Sequence, residues 1–520
     1  MTEPNANSSE DRYGITEPVS VDGPAEGDRE ATAELLKFLR AQNLYETEEG
    51  KLKREKVLEA LNRLLQQFVR KNAARHLGIP DDEAAKISAK LLTFGSYRLG
   101  IVAPDSDIDC LCLCPQSVTR DAFFTDFYNL LKQVNLITKL HAVPDAYTPV
   151  IKLTYDGIDI DLLFASLPAS TVPEEIDVLD DAVLRNMNEP TARSINGCRV
   201  AALMLALVPN KENFRTTLRY VKLWANRRGL YTTVMGYMGG VAWAILTARV
   251  CQLYPNFLPN QLIQKFFRVY AQWNWKFPVM LCKIKEVPNL PGYMAFKVWD
   301  PRNNPTDRQH LMPVITPAFP SMNSTHNITL TTKRILTEEF KRAHELLKSQ
   351  RKASDMSRVW QQVLEKEDMF ASHKHFLVIE VMAATEHIHG KWEGWIGSRM
   401  RFLIKKLEVV PSILVRPWPE FFKYKHHEWD YASCVFFGFK CNVSGKDTTT
   451  GTTEPTAKTF DMRMSIKGFK EIINGWTEME AYKDQIAVNI RYLKNSQLPH
   501  FVNPRHKRTI DEVDRHAASV

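Results

Sequence analysis

A chain of 520 residues with 44% apolar and 25% charged side chains is too long for one core and too ordinary in composition for a fibrous or disordered protein, so two to four domains are expected. The formal charge of +8 permits a polyanionic partner without demanding one. The longest apolar run, Val200 to Val208, is far short of a bilayer span, and the N-terminus has no apolar signal core; eight cysteines without a C-x-x-C pair argue against a disulfide framework or structural zinc and imply a reducing, intracellular compartment.

Residues 1–28 are acidic, Gly/Pro-containing and aperiodic, and read as a disordered tail. Between 29 and 78 two amphipathic helices are expected, "EATAELLKFLRAQ" and "REKVLEALNRLLQQFVRKNAARHLG", the second ended by Gly78 and Pro80. Strand-like segments follow from 90 to 165, with a helix near Asp121 to Gln133. From 195 to 285 the pattern is helical and apolar; 286–330 is a Pro- and Asn-rich ordered loop region, followed by a charged helix, "LTEEFKRAHELLKSQRKA". From about 365 strands return ("HFLVIEVMAAT", "ASCVFFGFKC", "FDMRMSIKGF") alternating with helices, which suggests a separate α+β domain.

The chemistry concentrates in "TFGSYRLGIVAPDSDIDCLCLCP", Thr93 to Pro115. On a strand Asp107, Asp109, Leu111 and Leu113 share a face, with the acids at its mouth, while Ile108, Cys110, Cys112 and Cys114 share the other as small core residues. Two carboxylates held this close repel, and a divalent cation bound by oxygen relieves the repulsion. Gly95-Ser96 upstream allows close backbone approach to a phosphate and offers a hydroxyl donor.

"PVIKLTYDGIDIDLLFA" contains Asp156-Gly157 between alternating runs, a hairpin signal. A two-residue loop pairs Tyr155 with Ile158, Thr154 with Asp159, Leu153 with Ile160 and Lys152 with Asp161. One face then carries Lys152, Thr154, Asp159 and Asp161, and Asp161, further from the tip, is the better third carboxylate for two-metal catalysis. In "NFRTTLRYVKLWANRRGLY", Arg215, Arg219, Lys222 and Asn226 form one helical stripe, and Gly239-Gly240 soon afterwards opens another apolar helix beside a ligand-sized gap.

Together with "INGCRV", "GGVAWAILTARVCQLYPN", "WNWKFPV", "VWDPRNNPTDRQHLMPVITPAFPSMNSTHNIT" and "KWEGWIGSRMRFLIKKLE", these stretches resemble the eukaryotic poly(A) polymerases of the polymerase-beta-like nucleotidyltransferase superfamily, from about residue 30 to about 500. The resemblance implies a multidomain α+β fold: a nucleotidyltransferase palm of mixed sheet and helices, a helical middle domain and a C-terminal RNA-recognition-motif-like domain. The expected division is a tail over 1–28, helices over 29–60 packing with the middle domain, the catalytic domain over 61–210, the central domain over 211–362, the RNA-binding domain over 363–500 and a tail over 501–520.

The resemblance further implies Asp107, Asp109 and Asp161 as catalytic metal ligands, and Phe94, Gly95, Ser96, Lys222, Tyr231, Gly240 and Val241 as ATP contacts. Lys152 would face the nucleotide or primer end, with Asn226 as a further RNA or nucleotide contact. Two Mg²⁺ ions, with Mn²⁺ as a substitute, would serve template-independent transfer of AMP from ATP to an RNA 3′-hydroxyl with release of pyrophosphate. The expected partners are the pre-mRNA 3′ end and cleavage and polyadenylation factors, with no membrane, for a monomer in the nucleus or otherwise the cytosol. "PRHKR", Pro504 to Arg508, is the basic cluster that fits nuclear entry. Thr233 stands where the family has asparagine, which keeps a uridylyl-adding enzyme as an alternative; a catalytically dead RNA-binding scaffold would need a broken carboxylate triad. "FFGFKC" is only a fragment of an RNA-stacking motif, so charge and shape are expected to dominate RNA binding there.

Overall fold

The protein is described from a computed structural model covering residues 14–144, 148–286, 296–348, 356–410, 413–441 and 461–502. The cluster at Pro504 to Arg508 and the tail over 503–520 lie outside the described residues, as do residues 1–13. From Gly14 onward the expected disordered tail is instead placed by hydrogen bonds. Val19 N–H donates to the Leu253 carbonyl at 2.9 Å, Asn256 donates to the Val21 carbonyl at 2.6 Å, and Arg249 donates to the Thr16 hydroxyl. An aperiodic segment is ordered here by the polar groups of another element, which periodicity does not report.

Helix α1 (Asp28–Ala41) buries Leu35 and Leu39 in the core of the helical middle region. Helix α2 (Glu48–Leu77) starts at Thr47, whose hydroxyl accepts the Gly50 N–H, and stops at Gly78 in the left-handed conformation. Its Val57, Leu61, Leu65 and Phe68 pack under the catalytic sheet, so the expected boundary at residue 60 falls inside one helix, and only α1 packs with the middle region.

Strand β1 (Lys90–Phe94), the short helix α3 (Gly95–Leu99), β2 (Ile108–Cys114), β3 (Ile137–Val143), β4 (Val150–Tyr155) and β5 (Ile158–Ser166) build a mixed sheet of order β1-β2-β5-β4-β3. Only β2 and β5 are parallel; the other pairs are antiparallel. Ile108, Cys110, Cys112 and Cys114 are buried on one face against α2 and the helical stretch that follows, and Leu111 and Leu113 on the other against α4 (Glu189–Leu207). The β4–β5 turn has positive φ at both Asp156 (48°) and Gly157 (78°), the geometry that lets two residues reverse a twisted pair.

The middle region packs α5 (Lys211–Arg227), α6 (Gly240–Leu253), α7 (Pro259–Gln272) and α8 (Leu330–Lys348) around a cluster of aromatic rings, among them Trp224, Trp243, Phe267 and Phe340. In the C-terminal region β6 (His375–Ala383), α9 (Glu386–Glu408), β7 (Ile413–Pro417), β8 (Phe422–Tyr424), β9 (Tyr431–Cys441), α10 (Arg463–Asn474) and β10 (Ile486–Lys494) form an antiparallel sheet of order β10-β6-β9-β7, with β8 on β9. "FDMRMSIKGF", expected as a strand, is the start of α10: Ser465, Phe469 and Ile473 are buried at a four-residue spacing, the period of a helix. One sheet face buries Leu377, Ile379, Val435 and Phe437 in the core that α9 and α10 complete. The opposite face is also covered, with Phe376, Val378 and Phe436 fully buried beneath Phe370, Trp418 and Leu498.

Arg228, just past α5, joins the middle and C-terminal regions. Its guanidinium donates to both oxygens of Glu339 (2.9 and 2.8 Å), to Glu367 (2.5 Å) and to the Glu365 carbonyl (2.8 Å), while Arg416 donates to its carbonyl (2.9 Å). Burial pushes the Glu339 carboxyl up, but bonds and charge from Arg228 and Arg342 outweigh it and hold it below its ordinary value. Arg228→Met should cost about 3–5 kcal/mol, because a buried carboxylate loses its principal partner. Since Glu339 has a depressed pKa, that stabilisation is present above pH 4.5 and fades as pH falls through its folded value. Thermal unfolding of both proteins at pH 7.5 and pH 4 measures this, and an equal deficit at the two pH values would contradict it.

Candidate active site

β1 runs straight into α3 because Gly95 takes φ 60°, and any Cβ there would overlap the Asp109 carboxylate. The β1–β2 register sets Phe94 opposite Asp109. The parallel β2–β5 register sets Asp109 beside Asp161, and the β4–β5 register sets Lys152 opposite Asp161. Asp107 lies one residue before β2 and is exposed. The hairpin register is the one expected from sequence, with Thr154 bonded to Asp159 and Lys152 ion-paired to Asp161.

From the middle region, Lys222 on α5 extends its ammonium to the Ser96 hydroxyl at 2.9 Å and lies 5.8 Å from the centre of the Tyr231 ring. A Cβ on Gly240 would meet the Tyr231 hydroxyl at 2.6 Å, so glycine is what lets that ring lie against the start of α6. Phe94, Gly95, Ser96, Asp107, Asp109, Lys222, Tyr231, Gly240 and Val241 all line one cavity of about 510 Å³. Asp107 also lines an adjoining cavity of about 790 Å³ that holds Lys152, Asp159, Asp161 and, from α9, Glu386. The two cavities meet at the carboxylates.

Burial, then repulsion from Asp107 and Asp161, raises the Asp109 carboxyl to about 6 against the pull of Lys152 and Lys222. Burial lowers the Lys222 ammonium although Asp107 and Asp109 favour its charge, and burial with the same acids pushes the Tyr231 phenol up to about 12. Among the described residues no three His, Cys, Asp or Glu side chains are already drawn together as a metal cage, and Asp161 is turned to Lys152. The donor set still suits a hard divalent cation: three carboxylates from adjacent strand ends, one of them destabilised by the others' charge.

Not every expected residue reaches this place. Asn226 is exposed, donates to the Lys222 carbonyl at 2.9 Å, and lines neither cavity. Arg215 and Arg219 turn from solvent to backbone, donating to the Leu99 and Gly100 carbonyls at 2.9 and 2.7 Å, and so hold the end of α3. Thr233 is exposed, with its methyl against Gly239 and its carbonyl accepting from Asn327, and it too lines neither cavity. Sequence reasoning missed Arg193, Asn196 and Val200, which line the smaller cavity from α4. The side-chain amide oxygen of Asn196 there is buried without a partner. Their spacing of three and four residues, with polar groups breaking an apolar helix, was the available signal.

A mixed sheet that delivers acids from two parallel neighbours next to a Gly-Ser turn and a half-buried lysine defines a nucleotidyltransferase. The profile of the poly(A) polymerase nucleotidyltransferase domain matches residues 14–208, that of the poly(A) polymerase central domain 213–366, and that of the poly(A) polymerase predicted RNA binding domain 368–435. The chain is 40% identical over 495 residues to a poly(A) polymerase of Dictyostelium discoideum, an alignment covering 94% of this chain and 59% of that one. It is also 40% identical over 500 residues to nuclear poly(A) polymerase 1 of Arabidopsis thaliana, covering 95% and 66% respectively. The chain belongs to the poly(A) polymerase family, and spans between 59% and 66% of the length of these relatives.

A raised carboxylate pKa is a cost to the folded state. Above about pH 6 the fold holds Asp109 ionised at an expense that is absent at pH values below its unfolded pKa. Asp109→Asn should therefore raise the melting temperature of chelator-treated protein at pH 7.5, by on the order of 1–3 kcal/mol in stability, and the gain should vanish as pH falls from 6 towards 4. A destabilised Asn variant at pH 7.5 would show that Asp109 carries a stabilising contact instead.

Proposed function

We propose that this chain is a template-independent poly(A) polymerase that transfers AMP from ATP to the 3′-hydroxyl of RNA and releases pyrophosphate. One observation carries the reading: Asp109 and Asp161 are register partners on parallel neighbours, at the edge of a cavity whose other walls bring Ser96, Lys222 and Tyr231 together. Asp107, Asp109 and Asp161 would hold two Mg²⁺ ions, or Mn²⁺ in their place. Such ions, when bound, neutralise the attacking and leaving oxygens of an in-line displacement.

The remaining work falls to the protein. The Ser96 hydroxyl and Lys222 ammonium, 2.9 Å apart, bind the triphosphate from one side, with Gly95 leaving the backbone open to it. Phe94, Tyr231, Gly240 and Val241 enclose the nucleoside, and Asn196 on α4 offers it an unpaired side-chain amide oxygen. Lys152 neutralises Asp161 and would face the nucleotide or primer end. The primer enters through the larger cavity, between β3–β5 and Glu386. Asn226 has no place in this scheme, because its side chain closes on its own helix.

RNA binding by the C-terminal region would run over charged edges, since both faces of its central strands β6 and β9 are covered. Nuclear location, cleavage and polyadenylation factors as partners, and action as a monomer belong to the same reading. The name of the Arabidopsis relative, a nuclear poly(A) polymerase, supports the first, and the presence of every proposed site residue in one chain supports the last. Adenine selection rests on the shape of the smaller cavity, because Thr233 stands outside it.

Extension of a labelled oligoadenylate with ATP, GTP, CTP and UTP in turn, with each metal, is the test; ATP should be preferred, and equal use of UTP would transfer the reading to uridylyl addition. Asp161→Ala should lose about 100-fold or more in kcat, while Asp159→Ala, held by Thr154 nearer the hairpin tip, should stay within about threefold. Lys222→Ala should raise KM for ATP by about tenfold or more with RNA affinity unchanged. Loss of RNA affinity alone would assign Lys222 to the primer.

A further inference from the structure

Between the Gly95-Ser96 turn and Asp107 the chain makes an irregular loop, residues 100–106, "GIVAPDS". Pro104 lacks an N–H, and the loop's carbonyls find few partners within it. They are collected from outside. Glu46 N–H donates to the Val102 carbonyl at 3.3 Å. Arg54, on the first turns of α2, donates to the carbonyls of Ser106 (2.7 Å), Pro104 (2.9 Å) and Ala103 (3.3 Å), and its Nε–H donates to Glu46 at 2.7 Å. The Arg54 side chain is 3% exposed and that of Glu46 6%, so this is a buried ion pair whose cation is spent on one loop. Ser106 closes the far end, its hydroxyl accepting the Ala103 N–H at 3.0 Å.

A surface pair of this kind would be worth little. A buried one is costly to form, and well-packed apolar residues often replace it without loss. Stability alone is therefore a poor account of a buried arginine that grips three carbonyls, those of Ala103, Pro104 and Ser106, in the loop directly before Asp107. We infer that Arg54, oriented by Glu46, is a positioning residue: it fixes the backbone that aims the Asp107 carboxylate at the cation site. The inference rests on the reading that Asp107 is a metal ligand. Groups that hold a ligand in place, without touching the metal, typically govern metal affinity and activity by about 10–100-fold.

The test uses the whole chain and Mn²⁺ alone as probe, with free ion counted by electron paramagnetic resonance, beside steady-state primer extension. Arg54→Lys keeps the charge but loses the fork that spans the carbonyls. It should raise the Mn²⁺ dissociation constant about tenfold, lower kcat by a similar factor, and leave KM for the RNA primer within about threefold. Ser106→Ala, which leaves the Arg54–Glu46 pair intact, should move the same quantities the same way by a smaller factor. Should Arg54→Lys fail to fold, as judged by its unfolding profile, Ser106→Ala becomes the deciding variant. A folded Arg54→Lys that binds Mn²⁺ as tightly as the natural protein overturns the inference, as does one in which kcat holds and only stability falls. Asp107→Asn separates the two layers: if it binds Mn²⁺ normally, the metal-ligand reading is what fails; if it loses Mn²⁺ and Arg54→Lys does not, the positioning role fails.

Discussion

Everything around the candidate site answers to one electrostatic constraint, the juxtaposition of Asp109 and Asp161 on the one parallel strand pair that the catalytic sheet has among the described residues. Parallel neighbours present equivalent residues side by side at the same end, so two acids at the strand mouths cannot avoid each other. The fold tolerates this by surrounding them with compensating cations, Lys152 from the hairpin and Lys222 from α5, and by leaving Asp109 with a carboxyl that ionises only near pH 6. A site held in this condition has a standing attraction for a divalent ion, and the same repulsion limits how stable the ion-free fold can be.

Arginines act as the frame for that arrangement. Arg215 and Arg219 hold the carbonyls that end α3, and Arg54 holds those of the loop that follows. The turn carrying Ser96 and the strand carrying Asp109 are thereby fixed from both sides, by α5 and by α2. Gly100 makes this possible: it takes φ 76°, and a Cβ there would meet the Arg215 guanidinium at 2.5 Å. The basic stripe of α5 is thus mostly structural, with only its third member, Lys222, turned into the cavity.

The C-terminal sheet shows the opposite economy. The alternation of its central strands β6 and β9 is apolar on both faces, and both are buried, so Phe376, Phe436 and Phe437, which could have stacked on bases, are spent on packing. What α9 offers to the site is position: Glu386 lines the larger cavity and the His387 ring lies 5.5 Å from that of His141 on β3. The region therefore closes one side of the larger cavity, bounding the path a strand of RNA would take towards the carboxylates.

The sequence alone carried the chemistry wherever it was local. The Asp-Gly hairpin with its register, the buried cysteine row and the Gly-Ser turn follow from strand alternation and turn preference, which act over a few residues. Resemblance then joined these pieces into a family and nominated the nucleotide contacts. Tertiary structure decided what depends on distant partners: that residues 14–27 are pinned to α6, that α2 belongs under the catalytic sheet, that Arg215 and Arg219 face carbonyls and Asn226 faces its own helix, and that Arg54 reaches the loop before Asp107. A polar side chain has no period that names its partner. Whether it meets solvent, a ligand or an unpaired carbonyl is settled only when segments far apart in sequence pack together and leave particular backbone groups without water.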